Sequence, residues 1–433
     1  PNFPTEQGWK GESSHSSKPL REARSRMTEK NAGKGEKAYR PLKTQDLLQQ
    51  VMFRYVLEGN AASDKGRLAW VTSGFPVEIP AAMGITSTYP EQYGAVVGSQ
   101  KVGPTICGFA EEIGYSQELC SYARSSIGST RKPEESPLNG LPRPQALLAC
   151  NNICGTVLRW YDAISQMTGA PVFLLDTPPI EGQQQPHHLA YVRRGIERLS
   201  EFLSRTFNVS LEEERLRKVA ANSSKAIGLW TKSLEACKNK PSPLSCADRF
   251  TTMAPVVTMR GTEHVIEFYQ ALYDEVSNRV SQGIGAIRDE RIRLLWDNIP
   301  PWFSIFKFFN GLAKRGVVFP ADTYTHAWSG SLEGKDLFDG AAIMYSNVYL
   351  NKGLQAKVDK MIELIKNYDL DGFIMFSVRS CKRYSLGQLV SKELVTEATG
   401  VPGVVIEGDM VDSRLFNESQ IQTRIDALLE MFE

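Results

Sequence analysis

The stretch "LQAKVDKMIELIKNYDLDGFIMFSVRSCKRYSLGQ", residues 354–388, changes period halfway along. Its first half places apolar residues at the three- and four-residue spacing of an amphipathic helix. Then Phe373, Ile374, Met375 and Phe376 run together as a buried strand. The run stops abruptly at a polar turn holding one cysteine, Cys381, flanked by Arg379, Lys382 and Arg383. A helix feeding a continuously apolar strand is a unit of a parallel α/β sheet. The question it raises is why a thiol stands where the strand ends.

The same pattern recurs on both sides. Upstream, "TQDLLQQVMFRYVLEGNAAS" reads as a helix with stops at Gly59 and Asn60. "RLAWVTSGFP" reads as a strand ending at Thr72, Ser73 and Gly74, "VEIPAAMG" as a short helix, and "ITSTYPE" as a second strand. "ALLACNNICG" is a third strand before the helix "TVLRWYDAISQMTG", and "PVFLLDTPP" a fourth, ending at Asp176. The text is helical from about 187 to 285. A second set follows, with strands in "RIRLLWDNIPPW", "GVVFP", "GFIMFS" and "VPGVVIEGD" and the closing helix "SQIQTRIDALLEMF". The expected fold is α/β, with two Rossmann-like parallel-sheet domains and a helical N-terminal and connecting region. The expected boundaries are a polar, flexible extension at 1–40, a helical segment at 41–65, an α/β domain at 66–186, a helical region at 187–285 and a second α/β domain at 286–433.

Composition limits the functions. The chain has 433 residues, 42% hydrophobic and 23% charged, with net charge +1. That balance gives no general pull toward nucleic acid or anionic membrane. No run of about 18 apolar residues suggests a membrane span, and the N-terminal text lacks an apolar signal core, so a cytoplasmic location is expected. Seven cysteines, Cys107, Cys120, Cys150, Cys154, Cys237, Cys246 and Cys381, do not read as a disulfide framework in such a chain. No phosphate loop and no strand-linked glycine fingerprint is present.

Open parallel sheets bind ligands beyond the carboxyl ends of their strands. Ser73, Glu91, Cys154 and Cys381 all fall there, and Cys120, in "YSQELCSYARSSIG", lies at a loop or helix start. Three separated cysteines suggest a metal centre. Structural zinc takes close pairs such as C-x2-C, and catalytic zinc draws on histidine, which accompanies none of these motifs. A [4Fe–4S] cluster on three thiolates fits better, with Arg379, Lys382, Arg383 and Arg124 offsetting its charge. The rival reading is three inert buried thiols. Cys150 sits on its strand and reads as core packing; Cys237 and Cys246 read as structural, and Cys107 is ambiguous. Ser73 and Glu91 have structural readings as well, as a strand end or cap and as a first-turn acid. Asp176 and Asp409 read as caps, and His187 and His188 as a solvated helix end.

Taken together, "TSGFPVEIPAAMG", "YPEQYGA", "GYSQELCSYARSSIG", "NNICGTVLRWYD" and "SVRSCKRYSLGQ" resemble the 2-hydroxyacyl-CoA dehydratase and benzoyl-CoA reductase family. The resemblance runs from about residue 45 to the end of the chain. It implies a [4Fe–4S] cluster on Cys120, Cys154 and Cys381 with one iron facing the substrate. It further implies a Ser and a Glu, here Ser73 and Glu91, beside the thioester carbonyl of an acyl-CoA. The implied partners are a homologous second cluster-bearing subunit and an ATP-hydrolysing iron–sulfur activator. Gly155 follows Cys154 where the dehydratases more usually have aspartate, which puts a benzoyl-CoA-type reductase first. A 2-hydroxyacyl-CoA dehydratase stands as the alternative. A noncatalytic electron relay, with Cys107 or Cys150 as a fourth ligand, and a zinc-bearing or inert scaffold also remain open.

Overall fold

The computed structural model describes residues 38–332 and 334–433, so all but the last three residues of the expected extension at 1–40 lie outside it. The chain begins there with α1 (Gln45–Asp64), β1 (Leu68–Val71), α2 (Glu78–Ala82) and β2 (Thr86–Thr88). Next come α3 (Pro90–Ser99), α4 (Gly103–Glu111), α5 (Ser121–Arg131), β3 (Ala146–Cys150), α6 (Thr156–Thr168) and β4 (Val172–Leu175). The connecting region is helical as expected: α7 (Pro186–Phe207), α8 (Glu213–Glu235), α9 (Cys246–Thr252), α10 (Ala254–Thr258) and α11 (Glu263–Ser281). The second set is β5 (Ile292–Asp297), α12 (Ile305–Ala313), β6 (Val317–Asp322), α13 (Thr323–His326), α14 (Leu337–Ser346), α15 (Leu354–Asn367), β7 (Gly372–Val378), α16 (Lys382–Ser385), α17 (Gln388–Thr399), β8 (Gly403–Gly408) and α18 (Glu418–Leu429).

Both sheets are wholly parallel, in the orders β2-β1-β3-β4 and β6-β5-β7-β8. Each order reverses direction once, between β1 and β3 and between β5 and β7. A crevice opens beyond the strand ends at such a reversal. The central strands β1 and β3, and β7 from Phe373 to Phe376, are continuously apolar because both of their faces are covered. Ala69, Val71 and Leu148 face one core, while Leu68, Trp70 and Leu147 face the other. The second sheet divides in the same way, Phe373 and Met375 on one side and Ile374 and Phe376 on the other. Pro320 lies inside β6, which cannot donate there, and β6 is an edge strand whose register slips against β5.

One predicted boundary moves. Helix α1 does not stop at Gly59 and Asn60 but continues to Asp64. Gly59 is buried, and a Cβ there would come within 3.2 Å of Thr88 Oγ1, so the glycine serves close packing instead of termination. Among the described residues no helix is long and apolar enough to cross a membrane.

Candidate functional site

Ser73 follows β1 and Cys154 follows β3, the two strands at the reversal of the first sheet. Cys381 follows β7, at the reversal of the second. Glu91 stands in the first turn of α3, directly after β2, and Cys120 is the residue before α5. These five residues are linked by one hydrogen bond and by electrostatic influence. The Ser73 N–H donates to Glu91 Oε1 at 3.0 Å. A charge on Glu91 is felt at Cys154. Cys154 and Cys381 raise the pKa of Cys120, and Cys154 raises that of Cys381.

Hydrogen bonds fix these loops to one another. Ser380 and Ser121, the neighbours of Cys381 and Cys120, bond directly: the Ser121 N–H donates to Ser380 Oγ at 3.2 Å. Ser380 Oγ–H in turn donates to buried Asp409. Asp409 also accepts the N–H groups of Val411 and Asp412, both at 2.9 Å, so it closes the turn after β8 and is not the helix cap the sequence suggests; the following short helix is capped by Asp412. Asn152, fully buried two residues before Cys154, donates from Nδ2 to Gly74 O at 2.8 Å and Tyr345 O at 2.7 Å. That amide joins the Cys154 loop, the Ser73 loop and α14.

Each of the three thiols precedes a helix. The N–H groups of Tyr122 and Ala123 face Cys120, those of Thr156 and Val157 face Cys154, and that of Tyr384 faces Cys381. At Cys120 and Cys381, the cap positions of α5 and α16, the sulfur closes no capping hydrogen bond. Burial is the larger influence and pushes all three thiols up, Cys381 to about 12. The flanking cations do not ring the sulfurs as the sequence suggests. Arg379 pairs with Glu118, and Lys382 lies 3.6 Å from the same carboxylate. Arg383 donates to Leu350 O, and Arg124 is enclosed by Glu111 and Asp412. The cation that does act on Cys381 is Lys357, from α15, its own pKa lowered to about 8, chiefly by burial. It stands on the helix before β7 and not in the cysteine motif, so the motif itself gives no sign of it.

The remaining cysteines stand apart. Cys107 is buried in α4 and its thiol contacts Ser121 O at 3.7 Å. Cys150 lies on β3 against Thr177, and Cys237 and Cys246 are buried in the core. Asp176 is no cap: it accepts from Tyr191 and Asn151. His188 completes a capping box with Gln185 at the start of α7, a helix end as read.

Glu91 is 8% exposed, and burial raises its carboxyl from an ordinary 4.5 to about 7. The Ser73 N–H opposes that rise, and Oε2 has no partner among the described residues. Beside the set lies an apolar cavity of about 210 Å³. Its walls include Gly74 and Ile153, next to Ser73 and Cys154, and Tyr324, Trp328, Met344, Tyr345 and Tyr384. Sequence reading missed Tyr324, because it ended the strand at "GVVFP" where β6 continues to Asp322.

A parallel two-sheet α/β chain with two thiols at the sheet reversals, a third at a helix start and a buried carboxyl after an edge strand defines the class. The family model described as "2-hydroxyglutaryl-CoA dehydratase, D-component" matches residues 72–432. The chain therefore belongs to the 2-hydroxyacyl-CoA dehydratase and benzoyl-CoA reductase family. It is 32% identical to the (R)-2-hydroxyisocaproyl-CoA dehydratase alpha subunit of Clostridioides difficile over 376 residues, 86% of this chain and 92% of that one. It is 28% identical to the lactoyl-CoA dehydratase subunit alpha of Anaerotignum propionicum, covering 90% and 97%. A benzoyl-CoA reductase subunit of Thauera aromatica is 26% identical, covering 87% and 91%.

Proposed function

We propose that this chain is the α-type subunit of a 2-hydroxyacyl-CoA dehydratase that works in complex with a homologous second subunit. The observation that carries the reading is the 32% identity to a dehydratase alpha subunit across nearly the whole of both chains. The reductase, placed first from the sequence, becomes the second reading, supported by the 26% identity to a benzoyl-CoA reductase subunit.

The donor set suits a [4Fe–4S] cluster held by Cys120, Cys154 and Cys381. Among the described residues no group of three His, Cys, Asp or Glu is placed to hold a metal ion. A cubane asks for something wider, one thiolate on each of three irons. Three thiols within electrostatic reach of one another, each faced by helix N–H groups, support that reading. Burial keeps the free thiols protonated, so loading would release protons and be favoured by rising pH. When bound, the cluster would supply single electrons at low potential and an open iron.

The chain's own residues do the rest. The cavity, at about 210 Å³ and walled by Ile153, Met344 and Tyr345, suits a small acyl group and excludes water from it. Ser73 Oγ–H donates to the thioester oxygen. Glu91, near half-ionised at pH 7, gives or takes a proton through its free Oε2. ATP-driven activation by an iron–sulfur partner supplies the electron, and acyl-CoA is the substrate.

Electron counting decides between the two readings. With the complete complex, a dehydratase needs one priming electron for many eliminations of water, whereas a reductase consumes electrons in proportion to product. Stoichiometric consumption with no water elimination overturns the dehydratase reading. For the ligand assignment, C120A, C154A and C381A each lose iron and acid-labile sulfide in anaerobically purified protein, and C237A keeps both. Iron retained in all three would refute it.

A further inference from the structure

The cavity of about 210 Å³ touches Gly74, next to Ser73, and Ile153, next to Cys154, and it also touches Tyr384, three residues past Cys381. A thioester held at those loops has this space for the rest of its acyl chain. None of the described residues lining it carries a formal charge. Several of its polar side chains are already committed to partners. The Tyr345 hydroxyl donates to Glu78 Oε2 at 2.6 Å and accepts from Arg260 at 2.7 Å. The Tyr384 hydroxyl shares a hydrogen bond with Thr323 Oγ1 at 3.0 Å. Asn347 Nδ2 donates to Gln184 Oε1 and Ile343 O, and its Oδ1 accepts from Lys352. What these residues leave for the cavity is ring and aliphatic surface.

A cation does pack on this wall. The Arg260 guanidinium carbon lies 5.9 Å from the centre of the Trp328 ring and 5.5 Å from that of Tyr345. It is not free for a ligand. Its Nε donates to Glu78 at 3.1 Å, Nη1 to Val256 O and Val257 O, and Nη2 to Phe75 O and Tyr345. The buried Trp328 indole N–H has no partner among the described residues. One neutral donor returns only part of the hydration that a carboxylate gives up. A carboxylate in this space therefore loses water and meets no free cation, whereas an apolar chain gains by leaving water. Met344 limits the room. Its side chain lies along Gly330, with Cγ 3.2 Å and Cε 3.4 Å from where a Cβ would stand, and both residues line the cavity.

We infer that this chain selects a 2-hydroxyacyl-CoA whose acyl side chain is apolar and uncharged, that it rejects one ending in a carboxylate, and that Met344 sets the size it accepts. This rests on the dehydratase reading and narrows it to one substrate class.

The test compares water elimination by the primed, anaerobic complex from two thioesters of similar size, 2-hydroxy-4-methylpentanoyl-CoA and 2-hydroxyglutaryl-CoA. Wild type should favour the methylpentanoyl thioester by about a hundredfold in kcat/KM. M344K places a cation in the wall and should move that ratio toward the glutaryl thioester by about tenfold. M344A opens the wall without adding charge. It should keep the discrimination against the carboxylate and favour 2-hydroxy-3-phenylpropanoyl-CoA over the methylpentanoyl thioester by about tenfold more than wild type does. Iron content and thermal unfolding equal to wild type exclude misfolding of either variant. If wild type shows no preference or prefers the glutaryl thioester, or if neither Met344 variant moves its ratio, the inference fails and the dehydratase reading stands. If wild type eliminates water from none of the three thioesters, that reading falls and takes the inference with it.

Discussion

Glu91 shows how one residue gains its chemistry from position. A carboxyl in the first turn of a helix ordinarily titrates low, helped by the helix dipole. Here burial wins, and half of the carboxylate has no partner. The folded state holds its proton up to about pH 7, the unfolded state only to about 4.5. Between those values the native state binds more protons, so stability falls as pH rises. Relative to E91Q, wild type should lose up to about 3 kcal/mol across that window, read by denaturant unfolding at several pH values. A pH-independent difference would place Glu91 in a wetter site. The same ionisation should shape turnover: an inflection near pH 7 in kcat/KM, present in wild type and absent in E91Q.

Among the elements, α5 is one that sequence periodicity does not reveal. "SYARSSIGSTR" has no apolar stripe, yet Ser121 through Ser129 are buried without a break. Three of its hydroxyls are satisfied inside the helix: Ser125 and Ser129 donate to the carbonyls three residues back, and Thr130 to Ser126 O at 2.8 Å. Small side chains let α5 approach α4 so closely that a Cβ on Gly128 would lie 1.9 Å from Ile106 O. Backbone cannot yield as a flexible side chain does. G128A should therefore cost about 2 kcal/mol or more and displace Cys120 at the head of the same helix. Gly155, beside Cys154, has nothing within 4 Å of a built Cβ, and G155A should change stability by less than about 1 kcal/mol. Equilibrium unfolding of the two variants separates a packing glycine from a permissive one.

At the scale of the molecule, buried ion pairs tie distant segments together. Arg260, between α10 and α11, reaches Glu78 on α2 at 3.1 Å, Tyr345 on α14 at 2.7 Å and Phe75 O at 2.9 Å. Tyr345 closes the triangle by donating to Glu78 Oε2 at 2.6 Å, and Ser223 of α8 donates to Oε1 at 2.8 Å. The first sheet, the helical region and a cavity wall thus share one charge pair. R260M leaves Glu78 buried without its cation and should cost about 3–5 kcal/mol. E78Q with R260M should recover part of that loss. A double variant no more stable than R260M would show that the charge on Glu78 is not the cause. Arg124 makes a similar tie between α5 and the residues after β8, through Asp412.

The sequence by itself determined the two parallel sheets and the helical region between them. Continuous apolar runs and helical stripes are local patterns, and each strand needs both faces covered wherever it lies. It also determined which residues stand at strand ends, and so named Ser73, Glu91, Cys154 and Cys381, with Cys120 at a helix start. Only the tertiary structure decided that the loops bearing them converge, because that depends on strand order and on ties such as Ser121 to Ser380 across 259 residues. It likewise decided that backbone N–H groups and Lys357 face the thiols in place of the adjacent arginines, and that Tyr324 enters the cavity. The N–H groups stand two or three residues past each thiol, but the positions of Lys357 and Tyr324 depend on how separate elements pack, and no local spacing encodes them.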